Sequence, residues 1–183
     1  MKNMCITFLC LTIIILTGIG IGLNSTDTET EYLRIHVRAN SNSELDQSVK
    51  YKVRDAVVEY LTPFIAECDT REKAKTLLTD NLDGIMRVSD GVLNKNGFNY
   101  TSRASVKNER FPTRTYGQVT LLAGYYDALI VELGDGLGDN WWCVVYPPLC
   151  FTGEGVGYRY KSKIAELILN FYKNKEKINE EVS

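Results

Sequence analysis

The chain is poor in the residues that most enzyme chemistry is built from. Among 183 residues there is a single histidine, His36, so any thiol enzyme in this sequence would have to draw its base from that one position. Basic residues number 21 against 23 acidic, a net charge of -2, and neither a basic run nor zinc-finger spacing provides a local field for nucleic acid. The glycine-rich stretch near residue 134 does not end in Gly-Lys-Ser/Thr, which removes the usual phosphate-loop signature. No internal repeat and no second domain is visible, and no cofactor or metal is expected.

The N-terminus is the most informative compositional feature. Lys2 is the one positive residue before an uncharged, largely apolar run from Met4 to Leu23, which ends among Gly18, Gly20 and Gly22. This segment is read as a signal peptide or a membrane anchor (1–23), because about twenty such residues suffice both for an export signal and for a bilayer span. Cys10 lacks the small residues that precede a lipidated cysteine. A polar linker (24–31), a single globular domain (32–173) and a charged tail (174–183) follow, and everything beyond about residue 24 is expected outside the cytoplasm.

LRIHVRA (Leu33 to Ala39) alternates strictly, which predicts a strand with one buried side: Leu33, Ile35 and Val37 inward, Arg34, His36 and Arg38 outward. That outward row is read as a solvated face or a cationic surface for an acidic partner. Ser41 or Ser43 is placed to cap a helix in which Val49, Val53, Val57 and Leu61 recur at helical spacing, with Pro63 ending or kinking it. A second helix is expected from about Arg71 to Leu93. Three strands follow (Phe98 to Arg110, Tyr125 to Leu133, Trp141 to Tyr146), the last two joined as a hairpin through Gly134 to Asn140, and a helix from Lys161 to Lys173 closes the domain. The order β-α-α-β-β-β-α points to an α+β fold, a mainly antiparallel four-stranded sheet with helices packed on one face.

The stretch GDGLGDNWWCVVYPPLCF (Gly134 to Phe151) admits several chemistries. Its glycines lead into a strand rather than a helix, which argues against phosphate binding and for a glycine-rich turn. Asp135, Asp139 and Asn140 together with backbone carbonyls could supply only about half of the oxygens that calcium needs, so they read as turn residues. Trp141 and Trp142 point to opposite faces of a regular strand, so one serves the core and the other needs a cover or a partner. Cys143 and Cys150 would sit roughly 23 Å apart on a continuous strand, beyond the ~7 Å that a disulfide spans. A bridge therefore requires a chain reversal at Tyr146-Pro147-Pro148. A secreted enzyme using Cys143 or Cys150 with His36 is the alternative function.

RIHVRANSNSELDQSVKYKVRDAVV (Arg34 to Val58), LLAGYYDALIVELGDGLGDNWWCVVYPPLCF (Leu121 to Phe151) and YKSKIAELI (Tyr160 to Ile168) together resemble stage II sporulation protein R of endospore-forming Firmicutes. The resemblance implies a signal rather than an enzyme. Such a protein is made in the forespore and exported into the intermembrane space, where it activates a membrane-embedded aspartic protease that processes the sigma-E precursor. No catalytic residues carry over. The candidate partner contacts are Arg34, His36 and Arg38, the turn at Asp135, Asp139 and Asn140, and the pair Trp141 and Trp142.

Overall fold

The structure is a computed structural model that describes residues 31–117, 119–152 and 158–182. The apolar run and most of the linker expected at 1–30 lie outside these residues. Strand β1 (Leu33–Arg38) leads into helix α1 (Glu44–Ile65), α2 (Arg71–Asp80) and α3 (Leu82–Lys95). Strands β2 (Ser102–Phe111), β3 (Arg114–Tyr116), β4 (Val119–Leu121), β5 (Gly124–Leu133) and β6 (Asn140–Tyr146) follow. A 3-10 turn (Leu149–Phe151) and helix α4 (Tyr158–Val182) complete the order.

Helix α1 starts where its sequence allows it to. Ser43 has extended backbone and its hydroxyl accepts the Asp46 amide, while Glu44 and Asp46 complement the positive end of the helix. Pro63 sits in the last turn and the helix ends two residues later, as a residue without an amide donor dictates. Val49, Val53, Val57, Leu61 and Ile65 form its buried stripe. Each such side chain contributes about 1.5–3 kcal/mol of burial.

The single second helix expected from Arg71 is two helices. The break is Asn81, whose backbone (φ -106°, ψ 12°) leaves the helical region. Its side-chain nitrogen donates to the Leu77 carbonyl at 2.8 Å, and its side-chain oxygen accepts from the Tyr60 hydroxyl at 3.1 Å. Tyr60 reaches this point because Gly84 makes room: a Cβ there would lie 2.1 Å from the Tyr60 oxygen. The break is thus fixed by a long-range contact that a local periodicity does not show.

The α+β class holds, but the sheet is mixed rather than mainly antiparallel. Its order is β2-β5-β1-β6. Strand β1 pairs in parallel with β5 (Arg34 opposite Ala128, Arg38 opposite Glu132) and antiparallel with β6 (His36 opposite Trp142), while β2 and β5 are antiparallel. The expected hairpin between β5 and β6 does not exist, because β1 is inserted between them and Gly134–Asp139 crosses over its end. Strands β3 and β4 form a separate two-stranded sheet that the sequence reading missed. Helix α4 runs on to Val182, so the tail expected from 174 is helical as far as it is described.

One face of the sheet (Leu33, Ile35, Val37, Leu129, Val131, Leu133, Val145) is buried with the apolar stripes of α1, α2 and α3 and with Ile164 of α4. The other face has a buried centre too. Tyr32, Phe111, Tyr126, Ala128, Ile130 and Val144 form a second cluster with Leu121 of β4, and Phe171 of α4 touches both clusters.

Candidate functional site

Two of the quoted motifs hold each other at one end of the sheet. The loop after β1 and the Gly134–Asp139 crossing are joined by backbone bonds from Leu137 to the Asn40 carbonyl (3.1 Å) and from Gly138 to the Ala39 carbonyl (2.9 Å). The Asn40 side chain accepts the Asp135 amide at 2.9 Å and the Asn42 side chain accepts the Asp139 amide at 2.7 Å. Glycine is required at 138, where a Cβ would sit 2.2 Å from the Ser41 carbonyl oxygen, and Gly134 and Gly136 adopt φ of +56° and +64°.

Beneath this crossing Asp46 is the hub. Its carboxylate accepts from Asn40 (3.0 Å), Ser41 (2.5 Å) and Tyr100 (2.6 Å). Burial alone would raise its pKa, but these hydrogen bonds outweigh it and hold the carboxyl below its ordinary value. Lys50, almost fully buried, donates to the Gln47 side chain at 2.5 Å and to the Asp139 carbonyl at 3.0 Å. Burial pushes the Lys50 ammonium below its usual range. Asp135 and Asp139 therefore act through their backbones, with exposed carboxylates, and Leu137 stands 81% exposed at the tip. Among the described residues no group of three or more His, Cys, Asp or Glu side chains is placed to hold a metal ion.

The Arg34, His36 and Arg38 row is not a solvated face. Arg34 and His36 are fully buried, and Arg38 is 23% exposed and paired with Glu132 at 2.8 Å and with Glu109. The correction has a clear cause: alternation marks two faces, but it does not say which of them water reaches. The Arg34 guanidinium lies over the rings of Phe111 (4.2 Å) and Tyr126 (4.7 Å) and donates to the Tyr116 hydroxyl at 2.8 Å. Its Nε and Nη1 have no hydrogen-bond partner. His36 stacks on Trp142 at 4.7 Å and meets the edge of Phe111 at 5.3 Å. Its Nε2 is 3.5 Å from a Glu109 oxygen, yet burial first, and then the Arg38 charge, lower its pKa to about 3. The imidazole is neutral at pH 7. Sequence reasoning missed the box around Arg34, because Phe111, Tyr116 and Tyr126 come from three separate strands with no local pattern.

The tryptophans divide as the alternation predicts. Trp141 packs with the helix-side core, its ring 5.4 Å from the Arg54 guanidinium, and Trp142 packs with the second cluster. Both are half-buried. Cys143 and Cys150 are bridged, with Cα atoms 6.1 Å apart, and the required reversal is made by a cis Tyr146–Pro147 bond and the 3-10 turn. The bridge occupies both sulfurs. Cys143 also lies with the helix-side core, whereas His36 faces the opposite side of the sheet, so the pleat separates the two members of the expected dyad. Cys68 is a free thiol, buried, and burial pushes its pKa up.

Comparisons with known proteins converge on these same elements. The family described as Stage II sporulation protein R matches residues 29–155, a span that holds both interlocked loops, the aromatic box and the disulfide. Stage II sporulation protein R of Bacillus subtilis (strain 168) is 36% identical over 115 residues, which is 61% of this chain and 51% of that relative. The chain thus spans about half the length of the curated relative it matches. No solved structure matches it.

Proposed function

The chain belongs to the stage II sporulation protein R family, and from that membership we propose that it is an exported sporulation signal rather than an enzyme. It leaves the forespore through its Met4 to Leu23 segment, as a cleaved signal or a retained anchor. In the intermembrane space it binds the outer-facing part of a membrane-embedded aspartic protease, whose activation leads to processing of the sigma-E precursor. The observation that carries this reading is the interlocked end of the sheet: a loop fastened by four hydrogen bonds presents the exposed Leu137 and leads directly into β6, which carries the Trp141–Trp142 pair. A preformed apolar tip on a rigid base suits recognition of another protein. The alternative thiol enzyme is disfavoured by the bridge that occupies both cysteines and by the neutral, buried histidine.

Activation requires that the signal bind the active state of its partner more tightly than the resting state, since equal binding shifts nothing. The test is co-expression of this chain, the membrane protease and the sigma-E precursor in a non-sporulating host. Processing that depends on export of this chain is the expected result, and export without processing would refute the proposal. Sequencing the N-terminus of the exported product separates a cleaved signal from an anchor. Among the described residues no helix is long and apolar enough to cross a membrane.

A further inference from the structure

The two outer strands of the sheet are defended differently. Strand β2 carries Arg103, Lys107, Glu109 and Arg110 along its length, the kind of charge that keeps an open edge from pairing with another strand. Strand β6 has no charged residue and no proline from Asn140 to Tyr146. Its lower half is closed by the disulfide: the Val144 amide donates to the Cys150 sulfur at 3.0 Å, so the Val144 backbone points away from β1. In an antiparallel ladder that direction repeats every second residue. The Trp142 and Asn140 backbones therefore point the same way, above the turn, and among the described residues nothing bonds to them. The Asn140 side-chain oxygen is also shielded from water and without a partner.

Resting on the signalling role proposed above, we infer that the partner is engaged by strand addition. An extended segment of the partner protein pairs with the outward backbone groups of Asn140 and Trp142, and its alternating apolar side chains cover Trp141 on one face and Trp142 on the other.

The occupant follows from size and reach. A second copy of this chain is a poor fit, because the open edge of three residues is about 10 Å long. Self-pairing there buries far less than the roughly 1,200 Å² of a stable specific interface. The chain's own linker is also badly placed. Residues 24–30 join at Glu31, near Leu33, which lies opposite Tyr146 at the far end of β6. Seven residues reach about 23 Å at ~3.3 Å each, and they would have to double back past the Leu149–Phe151 turn. A larger partner can add contacts at the exposed Leu137 of the preceding loop, which the strand alone cannot supply.

Amide hydrogen exchange on the intact exported chain tests this, with and without the detergent-solubilised membrane protease from the co-expression host. The Trp142 amide should exchange at least about tenfold more slowly in the mixture, with the β2 amides unchanged. Protection only elsewhere would overturn the inference, as would protection of β6 that rises with the concentration of this chain alone. The variant Asn140→Pro removes one outward amide without touching the ladder to β1, and it should reduce precursor processing at least tenfold while the thermal transition is retained. Full processing by a folded Asn140→Pro chain overturns strand addition but leaves the signalling role standing. A wild-type chain that drives no processing refutes the role itself, and the exchange experiment then shows no protection anywhere.

Discussion

The two faces of the central sheet each have a buried centre, and they are built from different materials. The helix side is aliphatic at its centre and keeps its charges at the rim, where Asp127 of β5 binds Arg71 at 2.6 Å and Lys75 at 2.5 Å from α2. The opposite side has the Arg38, Glu109 and Glu132 pairs and, in addition, a charge at its centre. Arg34 is buried among rings, held by one hydroxyl, with no carboxylate of the described residues paired to it. A paired charge at a rim can be solvated by either partner's movement, whereas an unpaired central one depends on its cage. The first face is therefore sensitive to lost volume, and at the centre of the second the shape that fills the cage matters more than the charge.

The sharpest way to break the comparison is to remove volume from each side. Leu61→Ala, at the fully buried helix-side stripe, should cost about 3 kcal/mol in a urea melt. On the other face, Arg34→Ala should cost about 2–3 kcal/mol through the cavity it leaves. Arg34→Met, which keeps the stem and removes the charge, should stay within about 1 kcal/mol of wild type or exceed it. Equal losses for the two Arg34 variants would mean that the charge itself holds the face together, and the contrast would fail.

A somewhat smaller effect separates the faces by pH. The folded His36 titrates near 3 against an ordinary 6.5, because burial and the surrounding cations Arg38, Lys107 and Arg34 oppose its protonation more than Glu132 favours it. Below pH 6.5 the unfolded chain takes up a proton that the folded one refuses. Stability is therefore complete above 6.5 and falls as pH drops toward 3, with about 2 kcal/mol lost by pH 5. His36→Phe should flatten the melting temperature between pH 6.5 and 4. An unchanged slope would show that another group titrates there.

The same contrast explains what could be read in the chain beforehand. The α1 stripe, a serine cap at 41 or 43, the β1 alternation, the splitting of Trp141 from Trp142 and the reversal needed to bridge Cys143 to Cys150 all follow from spacing within a few residues. The insertion of β1 between β5 and β6 does not, because parallel pairing is decided by a crossover and leaves no local mark. The break at Asn81 depends on Tyr60, and the burial of Arg34 and His36 depends on rings gathered from β2, β3 and β5. Of the candidate contacts, Asp135 and Asp139 lie in a connecting loop as their residue types suggest, but the loop crosses β1 rather than joining neighbouring strands, and Asn140 is the first residue of β6.

The smallest expected effect lies at the rim of the helix side. Burial alone would raise the Asp127 carboxyl, but the bonds from Lys75, Arg71 and Asn108 prevail and hold it at about 2, against an ordinary 3.8. Because the folded group titrates below the unfolded one, its stabilisation is complete above pH 3.8 and disappears as pH falls through 2. Lys75 is 38% exposed, so solvent screens part of the attraction, and about 1–2 kcal/mol is at stake. Asp127→Asn should lower stability at pH 7 by that amount and make the decline in melting temperature between pH 4 and 2 shallower than that of wild type, while His36 and Asp46 still contribute to it. High salt should shrink the difference, since a rim pair is screened, while the difference between Arg34→Met and wild type, buried away from ions, should not move. If salt altered both alike, the distinction between a charged rim and a charged centre would have no energetic content.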